Sequence, residues 1–197
     1  MKRTYRKSRR WGIASFWRDH HRLTIFLLLL ALGVAGGLLV DPGLIGWAAA
    51  GAKPQPVAGF ADGMAQVFAS CLSAWCLLTV LFLGGLSACG APITAAVPLF
   101  YGLGLGVTQT LWSADGRWWV SALLLWPCRL PEMVAVVYAC CESLRLSTLL
   151  AAQLLPGGTM GGLWRDFKWY LTRFLIYFLL ALAGGILDVV GRSMLLR

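Results

Sequence analysis

Residues 118–141 read WWVSALLLWPCRLPEMVAVVYACC, an almost wholly apolar stretch that contains one cation and one anion, Arg129 and Glu132. About 20 helical residues cross the hydrocarbon layer of a bilayer, so this stretch is long enough to span it. A lone charge at the centre of that layer costs roughly 2.5 to 3.5 kcal/mol, and charged residues persist there mainly where they pair, face protein or serve a function. The stretch therefore predicts a membrane helix with a polar site inside it.

Two prolines, Pro127 and Pro131, bracket Arg129 and adjoin Glu132. Each proline removes a backbone donor and clashes with the preceding turn, which predicts a broken helix. Freed carbonyls at membrane depth need protein or water, so residues 127–132 are the leading candidate for a functional site. A second interpretation is that Arg129 and Glu132, three residues apart on one helix face, merely neutralise each other near an interface. On a structural pairing, Glu132→Ala is predicted to lower membrane abundance or complex assembly, because Arg129 would lose its counter-charge.

The composition of the whole chain is that of a polytopic membrane protein. Of its 197 residues, 59% are hydrophobic and only 13% are charged, against about a quarter charged in soluble domains. The spans are predicted at residues 23–40, 69–88, 92–112, 118–141 and 170–187. The fold prediction is an all-α bundle of about five transmembrane helices with short interfacial helices. Residues 1–22 form a basic leader and residues 23–197 a single membrane domain.

Charge in the leader predicts the orientation of the chain. Eight lysines and arginines precede the first span, against the single acid Asp19, and cytoplasmic segments retain basic residues. We therefore expect a cytoplasmic N-terminus in a bacterial cytoplasmic membrane. The net charge of +9 could suggest nucleic acid, but anionic lipid explains a basic leader joined directly to a membrane helix. Membrane lipid is the predicted partner, and nucleic acid is not. The apolar core of the first span is longer than that of the usual signal peptide, which favours an uncleaved anchor.

Two segments outside the predicted spans have interfacial character. Phe60, Met64, Val67 and Phe68 recur at helical spacing ahead of the second span, which predicts a short helix at the outer membrane surface and a candidate docking face for a partner. The alternative is that these residues are the first turns of the second span. Residues 143–155 are rich in leucine and predict a second interfacial helix on the inner side.

Glycines at a spacing of four residues occur in the first and third spans. The pairs are Gly33 with Gly37 and Gly102 with Gly106. Small residues four apart let helix backbones approach closely, which in lipid substitutes for the missing hydrophobic driving force. These glycines predict helix packing. The sequence leaves the oligomeric state open, and a homo-oligomer is one of the alternatives.

Chemistry-bearing residues form no recognisable catalytic pattern. The eight acids stand mostly at span ends, Glu132 being the exception, and no nucleophile motif or nucleotide-binding loop is present. The six cysteines lie in or beside apolar stretches without paired ligand spacing, and His20 with His21 gives only a weak metal signal. We predict no enzyme activity, no metal site and no cofactor.

The chain resembles the stage II sporulation protein M family of five-span membrane proteins. The resemblance lies in Trp17-Arg18-Asp19-His20 before the first span, the amphipathic residues 60–68 and the Gly/Pro-rich hairpin around Pro92 and residues 102–106. It continues in Leu130-Pro131-Glu132 of the fourth span and in a last span that follows a basic inner loop. Leu130-Pro131-Glu132 is the most specific of these features.

The resemblance implies a non-catalytic scaffold of endospore-forming bacteria. Family members are associated with a peptidoglycan-remodelling complex that includes the wall-degrading stage II sporulation proteins D and P and drives engulfment of the forespore. The chain would anchor and localise these partners at the septal membrane. The alternative from the residues themselves is a membrane permease or transporter subunit that uses a broken fourth helix around Arg129 and Glu132.

Overall fold

The computed structural model describes residues 13–40, 60–88, 90–113, 118–153 and 163–195. Most of the basic leader and the connections between helices, apart from the turn between the second and third helices, lie outside these described residues, so the predictions made for them stay predictions. Residues 13–22 of the leader are the exception, because they form the first turns of the first helix.

Five α-helices and no β-strand make up the described residues, which confirms the all-α fold. The helices are α1 (Ile13–Leu39), α2 (Phe60–Gly85), α3 (Ala91–Ser113), α4 (Trp118–Gln153) and α5 (Leu163–Leu195). Each contains a segment long and apolar enough to cross a membrane. At about 1.5 Å per residue, the 36 residues of α4 and the 33 of α5 exceed the hydrocarbon thickness of about 30 Å.

Both predicted interfacial segments belong to span helices. Residues 60–71 are the first turns of α2, so the alternative interpretation of that segment is correct and a separate surface helix is wrong. Residues 143–153 likewise continue α4 without interruption. No proline lies in either segment, so the backbone hydrogen-bond ladder runs on where the sequence turns more polar.

The predicted break in the fourth span is also wrong. Pro127 and Pro131 both lie inside α4, which is continuous. Each proline removes a single backbone hydrogen bond, and α4 is held by its neighbours on the turns that follow them. Met133, Val136 and Cys140, on the turns that follow, are buried in the core of the bundle.

Contacts between helices show which helix ends lie together. The amide of Gly90, at the start of α3, donates to Ser147 Oγ of α4 over 3.2 Å, and Tyr170 of α5 packs against Gly85 of α2. The turn between α2 and α3, the last turns of α4 and the first turns of α5 therefore share one end, called here the hairpin end. Gly33 of α1 faces Leu99 and Leu103 of α3.

The helices α1 and α3 run parallel. Gly33 lies against Leu99, whereas Gly37, one turn further on, lies against Leu103 and Gly106. Since α3 begins at the hairpin end, α1 also begins there. The basic residues at the start of α1 and those at the end of α4 and the start of α5 are thus brought to the same end.

The outside of the bundle is apolar. Large hydrophobic side chains project outward from every helix; examples are Leu32, Leu72, Phe100, Leu130 and Leu175. The buried core between the helices is formed by residues such as Phe26, Leu78, Tyr101, Val136 and Phe174. An apolar core within an apolar exterior is the arrangement expected for a protein whose solvent is lipid.

Candidate functional site

Arg129 lies between two carboxylates inside the bundle. Its Nη2 donates to Asp188 Oδ2 of α5 over 2.9 Å, and its Nη1 donates to Glu132 Oε2 of α4 over 3.4 Å. Both carboxylates are completely buried, and the arginine side chain is 15% exposed. The pair predicted from the sequence therefore exists, but the shorter contact of Arg129 joins α4 to α5.

Side chains from two further helices complete this group. Ser70 Oγ of α2 donates to Asp188 Oδ2 over 2.7 Å. Tyr101 of α3 is buried and lies close enough to Glu132 and Arg129 to interact with both electrostatically. Its hydroxyl forms no hydrogen bond with a described residue. We call Ser70, Tyr101, Arg129, Glu132 and Asp188 the polar network; it connects four of the five helices.

The polar network lies within the apolar segments of its helices. Tyr101 is near the middle of the segment Ala91–Leu111 of α3, whereas Arg129 and Asp188 lie three residues from the ends of the segments Trp126–Gln153 and Trp164–Gly191. Charged side chains inside such segments are expensive, and they are expected to face protein and pair. Arg129, Glu132 and Asp188 do both, so the polar network has the properties of an intramembrane site placed by the fold.

Two adjacent glycines allow the helices to close around the polar network. A Cβ on Gly184 of α5 would lie 3.1 Å from the Cβ and the backbone nitrogen of Glu132, and one on Gly185 would collide with Cys71 Sγ of α2. Because these glycines lack side chains, α5 approaches α4 and α2 closely one turn before Asp188. This close approach brings the Asp188 carboxylate within reach of both Ser70 and Arg129.

The charges of the polar network do not sum to zero. One guanidinium faces two carboxylates, so the group carries a formal charge of −1 when both acids are ionised. A cavity of about 20 Å³ adjoins it, lined by Thr108, Gln109, Trp126, Arg129 and Asp188 among others. Such a volume has room for about one water molecule, and the polar lining could hydrogen-bond to it.

The structure places the predicted residues of 127–132 unevenly. Arg129 and Glu132 point into the polar network, whereas Pro127 is exposed and Pro131 half-buried. The positive charge of Arg129 also has one more carboxylate partner than the sequence predicted. With Asp188 at 2.9 Å, Arg129 keeps a counter-charge when Glu132 is removed, so the reason given for the loss of abundance in Glu132→Ala does not hold.

Asp188, Ser70 and Tyr101 were not identified from the sequence. Asp188 carried a usable signal, because it follows Gly184-Gly185 within the apolar residues 174–190 and is an acid in a span. Ser70 and Tyr101 carried none, since a lone serine or tyrosine is common in membrane helices. Only the packing of α2 and α3 on α4 and α5 distinguishes them.

The four glycines predicted for packing meet at one interface. Gly33 and Gly37 of α1 face Gly102 and Gly106 of α3, and a Cβ on Gly37 would lie 2.9 Å from the Cα of Gly106. The neighbouring Gly36 and Gly104 have open space where a Cβ would be. The α1–α3 contact is thus built from backbone against backbone at the spacing of four.

The predicted partner-facing residues lie at the start of α2, at the end opposite the hairpin. Met64 and Phe68 are exposed, Val67 is half-buried, and the side chain of Phe60 lies outside the description. Phe68 packs edge-on against Trp75 with ring centroids 6.1 Å apart. These exposed side chains are available to a partner or to lipid.

Metal and cysteine chemistry have little support in the part of the chain that is described. No group of three His, Cys, Asp or Glu side chains there could hold a metal ion. Cys71 and Cys140 are buried thiols, Cys128 is half-buried and Cys76 is exposed.

A five-helix bundle with an apolar exterior and an ionic group at its centre defines a multi-pass integral membrane protein. The family model described as stage II sporulation protein M matches residues 23–187. That range covers most of the chain, and the chain belongs to this family. No curated protein and no solved structure matches the chain at a significant level.

Proposed function

We propose that this sporulation-related membrane protein is a non-catalytic scaffold in forespore engulfment. It would anchor and localise peptidoglycan-degrading partners, of the kind of stage II sporulation proteins D and P, at the septal membrane. The observation that carries the proposal is the family match over residues 23–187, which spans most of the five-helix bundle.

The contacts of the polar network support a structural role for its charges. The guanidinium of Arg129 is engaged by both carboxylates, and Asp188 also accepts from Ser70. These contacts tie α2, α4 and α5 together, and the adjoining cavity of about 20 Å³ suits a water rather than a solute. A bundle fixed in this way is suited to presenting surfaces to other proteins.

The positions of the basic residues support an orientation. Arg22 near the start of α1 and Arg145, Arg165 and Lys168 of α4 and α5 belong to segments that meet at the hairpin end. Cytoplasmic segments retain such residues, so we assign the hairpin end to the cytoplasm of a bacterial cell. The start of α2, with Met64 and Phe68, then faces the side where peptidoglycan lies.

Site-specific photo-crosslinking in sporulating cells tests the scaffold. A crosslinking amino acid at Met64 or Phe68 should capture a wall-degrading partner, identified by mass spectrometry. Leu83 is the matched control, because it is on the same helix and exposed to 60% but lies at the hairpin end. Capture of no wall-degrading protein from either position, or equal capture from Leu83, would contradict the proposed surface.

A permease or transporter subunit is the second candidate, favoured by the excess carboxylate of the polar network. Glu132→Gln removes that excess while keeping the shape of the side chain. If the variant abolished proton or solute flux in proteoliposomes while partner recruitment stayed intact, the scaffold would be the wrong reading. The scaffold predicts no flux that depends on Glu132.

A further inference from the structure

A second polar region lies at the hairpin end, between α4 and α5. It is a cavity of about 490 Å³ whose charged lining is separate from the polar network. Its charged lining comprises Glu142, Arg145, Arg165, Asp166 and Arg173, and Trp169 and Tyr170 also line it.

Three arginines and two carboxylates line this cavity, so it carries one positive charge in excess. Glu142 pairs with Arg173, and Arg145 Nη1 lies 3.8 Å from Glu142 Oε2. One carboxylate thereby holds two guanidiniums side by side. Arg165 makes no ion pair with any described residue.

The start of α5 adds to the positive potential. Arg165 lies in the first turn of this helix, which begins at Leu163. Backbone N–H groups at a helix N-terminus are unsatisfied and favour an anion, and the helix dipole acts in the same direction. Guanidinium groups bind phosphate oxygens with paired hydrogen bonds, which an ammonium group cannot do.

The depth of the cavity matches the headgroup region of a bilayer. Arg165, Asp166 and Trp169 lie in the first two turns of α5, at the edge of its apolar segment Trp164–Gly191. The ends of a membrane span lie in the headgroup region, about 15 Å from the middle of the hydrocarbon layer. Trp164 and Trp169 are exposed beside the cavity, as amphipathic rings are at the membrane interface.

We infer that this cavity is a binding site for a phosphate group at the membrane surface, held by Arg145, Arg165 and Arg173. The phosphate could come from the headgroup of an anionic glycerophospholipid or from free phosphate in solution. Placement at headgroup depth favours the lipid. The site would fix the ends of α4 and α5 to the leaflet on the side of the hairpin end.

Native mass spectrometry of the full chain released from detergent micelles tests this site. Phosphatidylglycerol and cardiolipin are compared with phosphatidylcholine as ligands, and inorganic phosphate is titrated separately by calorimetry. A hydrogen bond between charged groups contributes about 1.5 to 3 kcal/mol, which is about a tenfold or larger change in affinity. Arg165→Gln should therefore weaken retention of the anionic lipids at least about tenfold.

Lys168→Gln is the matched control. Lys168 is an exposed cation on the same helix, with its Nζ 5.3 Å from the centre of the Trp164 ring, and it does not line the cavity. It should lose no more than the general attraction of one surface cation to anionic lipid, about fivefold in affinity. Arg145→Gln serves as a second variant of the site, with the same expected loss as Arg165→Gln.

The possible outcomes separate the sources of the phosphate. Lipid retention that depends on Arg165, without binding of inorganic phosphate, assigns the site to a headgroup, whereas phosphate binding that depends on Arg165 assigns it to free phosphate as well. Equal losses in Arg165→Gln and Lys168→Gln would mean general charge attraction and would overturn the site. Equal retention of phosphatidylcholine and the anionic lipids, with no phosphate binding, would overturn it too.

Discussion

The α1–α3 interface and the polar network hold helices together by different means. In the first, Gly37 and Gly106 bring two backbones into contact without any polar side chain. In the second, Arg129 of α4 reaches Asp188 of α5 over 2.9 Å, deep among apolar residues. Within lipid the hydrophobic effect does not drive helices together, so association depends on close packing or on polar contacts.

The two interfaces should fail differently under mutation. The glycine interface depends on the absence of atoms, and it is damaged by adding a side chain. The polar network depends on charge balance, and it is damaged by removing one member while the others stay buried. A mutation series can therefore separate the two.

The largest effect is expected for Arg129→Met. The substitution leaves Glu132 and Asp188 buried without their cation, which should cost about 3 to 5 kcal/mol of the free energy of unfolding. The measurement is unfolding in micelles together with abundance in the membrane. Lys168→Met, which removes an exposed cation from α5, is the control and should be close to wild type.

A combined variant sharpens this prediction. Arg129→Met with Glu132→Gln and Asp188→Asn removes all three charges at once, so no buried ion is left unpaired. It should recover most of the stability lost in Arg129→Met. A triple variant no more stable than the single one would show that shape, and not charge balance, governs this region.

A smaller effect is expected from enlarging a glycine at the α1–α3 interface. In Gly106→Leu the new side chain meets the backbone of Val34 and Gly37, and overpacking of this kind costs roughly 1 to 3 kcal/mol. Gly104→Leu is the matched control, two residues away on the same helix with nothing within 4 Å of the new Cβ. Equal melting temperatures of the two variants would argue against close packing here.

The smallest effect concerns a neutral hydrogen bond between helices. Ser143 Oγ of α4 donates to the carbonyl of Leu81 in α2 over 2.8 Å. Hydrogen bonds between membrane helices contribute about 0.6 kcal/mol on average, so Ser143→Ala should lose about that amount of stability. Thr148→Ala, whose hydroxyl bonds only within its own helix, should lose less. A loss above that of Gly106→Leu would reverse the expected order.

The five spans and the glycine interface could be predicted because both are local features of the sequence. Hydropathy over about 20 residues identifies a span, and the spacing of Gly33 with Gly37 is visible within a single turn. The positions at which the helices begin were predicted less well. Helix α2 starts at Phe60 rather than near residue 69, and α5 at Leu163 rather than near residue 170, because a helix can continue into the interface where its sequence turns polar.

The polar network was predictable only in part. Arg129 and Glu132 are conspicuous as charges in an apolar stretch. Which other helix supplies a charged partner for them depends on long-range packing. Asp188 meets Arg129 because Gly184 lets α5 approach α4. The predicted break at Pro127 and Pro131 was wrong for a related reason: the packing of the turns of α4 that follow the prolines outweighs a local rule about proline.

The contact between Arg129 and Asp188 joins α4 to α5 within the polar network. A double-mutant cycle with Arg129→Met and Asp188→Asn measures it through the free energy of unfolding. The ion pair predicts strong coupling: the double variant should lose less stability than the sum of the two single losses. The equivalent cycle with Arg129→Met and Glu132→Gln should show weaker coupling, because the contact of Arg129 with Glu132 is longer, at 3.4 Å. Additive losses for Arg129 and Asp188 would contradict the ionic connection between these helices.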